Sequence, residues 1–77
     1  MERLPKLNEA IYIAICADMG SINIIKGRII GVQEVNFSFA KYLFRVDTHA
    51  GVYYRYAMDI FGSVEEIAKN INQFVVE

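Results

Sequence analysis

Seventy-seven residues, 55% of them hydrophobic and with a net charge of −1, make one domain with no room for a second core. A single cysteine, Cys16, and a single histidine, His49, exclude a disulfide framework and a four-ligand zinc site. A chain this short buries only roughly 60% of its unfolded surface, so with a mean hydropathy of +0.25 a homodimer or a tight complex with a protein partner is expected.

The N-terminal "MERLPK" leads into "AIYIAICA" at 10–17, an apolar run too short to span a bilayer. No A-x-A-like cleavage site follows it, and Glu2 and Glu9 spoil the basic flank of a signal peptide. A lone thiol among apolar neighbours fits a reducing compartment, and the expected location is cytoplasmic. Pro5 suits the first turn of a helix and Gly20 its C′ position, with Leu7, Ile11, Ala14 and Asp18 along one side. That punctuation predicts a helix. The competing pattern is a strand, in which Ile11, Ile13 and Ile15 alternate with Tyr12, Ala14 and Cys16.

"KGRIIGVQEV" reads as a strand whose Gly27 and Gly31 mark a bulge or a close backbone approach, and "VNFSF" connects it onward. Residues 39–47 and 52–60 are rich in aromatic and β-branched types, with "DTHAG" between them as the turn of a hairpin. Ser63 and Glu66 form a capping box, followed by an apolar stripe of Val64, Ile67, Ala68, Ile71, Phe74 and Val75. Glu65 and Lys69 add an i,i+4 pair. A helix over 63–75 with Ile67 and Phe74 buried is predicted.

The expected fold is therefore α+β over residues 1–77, in the order α-β-β-β-α. Two helices pack on one face of a three-stranded antiparallel sheet. This order resembles that of the double-stranded-RNA-binding domain. The resemblance implies a basic cluster at the start of the last helix, but "SVEEIAKN" places Glu65 and Glu66 there. Carboxylates repel phosphates, so the likeness does not extend to RNA binding.

Strand alternation separates Val52, Tyr54, Tyr56, Met58 and Ile60 from Tyr53, Arg55, Ala57 and Asp59. Grouping the more apolar sets puts Tyr54 and Tyr56 in the core beside Ala40, Tyr42, Phe44 and Val46. The opposite face then carries Phe39, Lys41, Leu43, Arg45, Tyr53 and Arg55. Of these, Lys41, Leu43, Arg45, Tyr53 and Arg55 form the candidate partner-binding set, since Tyr and Arg are the residue types that most often anchor interfaces.

Catalytic patterns are sparse. There is no Walker A or GxGxxG sequence, Cys16 sits in an apolar run, and Asp47 with His49 reads as a hairpin loop. No enzyme activity, cofactor or metal is expected. Charge is divided along the chain: Lys26, Arg28, Lys41 and Arg45 oppose only Glu34, whereas Arg55 and Lys69 face Asp47, Asp59, Glu65, Glu66 and Glu77. Such a two-signed surface suits a charged protein partner or self-association. The expected function is a protein–protein interaction module, an inhibitor or adaptor of the kind that viruses and small mobile elements encode. The alternative is weak single-stranded nucleic-acid binding, with Tyr53 and Phe39 stacking bases.

Overall fold

A computed structural model describes residues 4–16, 21–68, 75 and 76. It overturns the expected α-β-β-β-α order, and with it the likeness to the RNA-binding domain. The chain is mostly one antiparallel sheet, with strands β1 (Ala10–Cys16), β2 (Ile22–Glu34), β3 (Tyr42–Thr48), β4 (Gly51–Tyr56) and β5 (Ile60–Phe61). The other described elements are a 3-10 turn at Ala57–Asp59, a helix α1 (Val64–Ala68) and a strand β6 (Val75–Val76).

The first segment is a strand because its period is two. Ile11 and Ile13 are fully buried on one face and Ile15 packs beside them, while all seven residues of β1 pair with β2 from Ala10↔Arg28 to Cys16↔Ile22. The predicted helix also fails at its start. Asn8 adopts φ 68, a left-handed conformation that ends helical geometry and that Asn tolerates better than most residues. The Asn8 amide donates to the Ile29 carbonyl, and the Lys6 amide donates to the Glu9 carboxylate. Gly20, the expected C-terminal stop, lies outside the described residues.

β2 is twice the usual strand length because two strands share it. Its first half pairs with β1 and its second half with β3, and Gly27 pairs with both Ile11 and Thr48. A Cβ on Gly27 would stand 2.6 Å from Val46 Cγ1 and 3.0 Å from the Asp47 carbonyl oxygen. Glycine is what lets the two strands meet there. Gly31 marks the other expected irregularity, a bulge between Ile29 and Gly31.

The sheet order is β4-β3-β2-β1-β5, so the two outermost strands are consecutive in sequence. Four inter-strand gaps of about 4.8 Å would hold flat edges roughly 19 Å apart. Three residues of 3-10 turn, rising about 2 Å each, cannot bridge that distance. The sheet must curl until its edges converge, as a small open barrel. Ile11, Ile13, Ile25, Ile29, Phe44 and Val46 fill the inside, with Ile15, Tyr42, Tyr53, Ala57 and Ile60 packed around them.

The capping box is present. Ser63 Oγ accepts from the Glu66 amide at 3.4 Å, and the Glu66 carboxylate accepts from the Gly62 amide at 2.8 Å. Ile67 is fully buried as expected. The predicted helix does not run to 75, however, because Val75 pairs with Asn23 of β2 in a parallel bridge. Phe74 lies outside the described residues.

Candidate functional site

The hairpin turn decides which side chains can form a site. His49 and Ala50 are a two-residue loop: the Thr48 hydroxyl donates to the Gly51 carbonyl at 2.8 Å and accepts from the Ala50 amide at 3.1 Å. Thr48 therefore opposes Gly51, Val46 opposes Tyr53, and Phe44 opposes Arg55. Cross-strand partners share a face, so Tyr53 and Arg55 turn inward with Phe44 and Val46. The expected grouping is reversed.

The candidate partner-binding set is thus divided. Leu43 and Arg45 lie on the outer face, opposite Tyr56 and Tyr54, and Lys41 is exposed just before β3. Tyr53 packs on the core. Arg55 is half-buried: it sits over the Tyr53 ring at 5.3 Å and donates to the carbonyl oxygens of Tyr54 (2.8 Å) and Ala14 (3.3 Å). Conversely Val52, Tyr54 and Met58, which were expected in the core, are about half exposed, Tyr54 at 56%.

The outer face leads into an aromatic cluster. Phe37 and Phe39 stack at 5.4 Å between ring centroids, and both meet Tyr56 edge-on, at 6.3 and 5.1 Å. The β2–β3 connection places them there. Asn36 takes φ 54, and Phe37 and Ala40 exchange backbone hydrogen bonds, closing a tight turn. Despite this packing, Phe37 is 48% and Phe39 59% exposed. On their other side lies a groove of about 330 Å³, lined also by Leu4, Lys41, Tyr42, Ala57 and Met58. Phe39 and Lys41 were legible as exposed from alternation. Phe37 and Met58 were missed, because nothing local shows that the loop at 37 and the turn at 58 converge.

Among the described residues no three His, Cys, Asp or Glu side chains converge to hold a metal ion, and no buried side-chain polar atom lacks a partner. No described helix is long and apolar enough to cross a membrane. Set against known proteins, the chain matches no family model, no curated relative and no solved structure.

Proposed function

We propose that the chain is a non-enzymatic protein-binding module that grips its partner through the aromatic groove. The observation that supports this most directly is the exposed Phe37–Phe39 stack, braced from behind by Tyr56. Rings left half in water lose hydrophobic stabilisation that a partner would restore, and their mutual packing lowers the entropy lost on docking. Leu4 and Met58, each about half exposed, extend the same apolar surface. An inhibitor or adaptor works in this way, by occupying a partner's surface.

The stacked rings beside Lys41 also support a second reading, single-stranded nucleic-acid binding, in which bases stack and Lys41 meets a phosphate. Capture experiments separate the two. The wild-type chain and a Phe37→Ser/Phe39→Ser variant are compared as baits in native extract, with and without nuclease. A protein held by the wild type and lost by the variant, unaffected by nuclease, supports the module. Retention of the same proteins by both baits would reject the groove. Light scattering then distinguishes self-association from a foreign partner, since a mass near 8.8 kDa at high concentration leaves only the latter.

A further inference from the structure

We propose that the partner segment carries an acidic side chain, received by Arg45 as a carboxylate fork on the outer face beside the groove. This rests on the reading of the groove as a protein-binding site. The bulge between Ile29 and Gly31 carries the argument. Before it, Ile25, Gly27 and Ile29 point inward; the extra residue, Ile30, shifts the alternation. Gly31 consequently falls on the outer face, opposite Arg45. The Arg45 guanidinium occupies the space a side chain at Gly31 would fill, with Nη2 3.1 Å, Nε 3.2 Å and Cζ 3.3 Å from that Cβ position.

Arg45 lies over Gly31, and its donors are not used. The side chain is exposed and has no hydrogen-bond or ion-pair partner among the described residues. It forms one wall of a small hollow of about 130 Å³ with Gly31, Gln33, Leu43 and Tyr54. A planar guanidinium offers two parallel donors, the geometry a carboxylate accepts.

The charges agree with this assignment. Among the described residues, the only charged side chains lining the groove and the hollow are Lys41 and Arg45, both cationic. The two sites are continuous: Phe39 lines the groove and touches Tyr56, Tyr56 opposes Leu43, and Leu43 is two residues from Arg45. Two residues of strand span about 7 Å. Groove-lining Lys41 is four residues from Arg45, about 13 Å, so an extended segment with an apolar anchor in the groove would bring a residue about four positions away to Arg45. A net charge of −1 and a pI of 5.8 favour an acidic protein segment over the densely charged backbone of a nucleic acid.

A random dodecapeptide library displayed on phage and selected on the full chain tests this. The expected result is enrichment of peptides with Asp or Glu about four residues from a large apolar residue. Replacing that acid by its amide in a synthetic copy should weaken binding about tenfold, the low end for a charge-assisted hydrogen bond. Arg45→Lys, which keeps the charge, should lose the same factor. Gly31→Ala, whose methyl shifts the flexible end of Arg45 by only a few tenths of an ångström, should weaken binding less than Arg45→Lys does. Apolar peptides selected without acid preference would overturn the role of Arg45 and leave the groove standing. No enrichment at all would overturn both. Binding of oligothymidylate that Arg45→Lys abolishes would replace the carboxylate by phosphate.

Discussion

Arg55 Nη2 donates to the carbonyl oxygen of Ala14 across 3.3 Å, joining β4 to β1. Those strands are three places apart in the sheet order, roughly 14 Å if the sheet were flat. The bond therefore spans the curled sheet from its free end strand, and the same guanidinium also holds the Tyr54 carbonyl and lies over Tyr53. An arginine that looks like an interface anchor in the sequence is a fastening of the fold.

Arg55→Ala should accordingly destabilise the chain by about 1–3 kcal/mol, since it leaves a half-buried carbonyl without its partner. Arg55→Lys, with one charged donor group, should recover part of that loss. Urea denaturation followed by circular dichroism measures both. An alanine variant as stable as the parent would show that the bond contributes nothing.

The two adjacent tyrosines should respond in opposite ways. Tyr53 packs on the core, and Tyr53→Ala should cost about 3 kcal/mol or more by opening a cavity. Tyr54 is 56% exposed, and Tyr54→Ala should stay within about 0.5 kcal/mol of the parent. Thermal melts of the two variants decide it. Equal losses would mean that the hairpin has a different register.

Gly27→Ala tests the shared strand. The added methyl would meet Val46 Cγ1 at 2.6 Å and a backbone oxygen at 3.0 Å, and the backbone cannot swing away. A loss of about 1–3 kcal/mol is expected, as for other overpacked sites. Combining it with Val46→Ala removes one clash but leaves the Asp47 carbonyl, so the double variant should not regain the stability of Val46→Ala alone.

Ile67→Ala should cost about 2–5 kcal/mol, because Ile67 is fully buried within α1. Denaturant titration would show this as a lower midpoint at unchanged slope. A neutral result would mean that α1 does not help cover the sheet.

The local chemistry of the chain was enough for the hairpin turn, the capping box at Ser63 and Glu66, and the glycines of β2. Each is set by residues within a few positions of one another: Gly51 at φ 122, a hydroxyl three residues from the amide it caps, and a strand with two positions lacking Cβ. The identity of the first element was also written locally, in the alternation of Ile11, Ile13 and Ile15. The helical end signals at Pro5 and Gly20 outweighed it, although the β-branched residues fit a strand better. Even the face of Tyr53 was within reach. A two-residue loop at His49–Ala50 makes Val46 and Tyr53 partners, whereas grouping by hydrophobicity cannot choose between two faces that both carry tyrosine.

Other features depend on strand packing that no short window encodes. Which residues after Ile29 point inward depends on a bulge in the pairing with β3, and that shift alone brings Gly31 under Arg45. The convergence of Phe37, Phe39, Tyr56 and Met58 requires the sheet to curl until the β2–β3 connection and the 3-10 turn meet. Curling follows from the twist of every strand together and from which edges find partners. That is a property of the closed sheet, so the sequence by itself displayed the aromatic residues while only the tertiary structure assembled them into a groove.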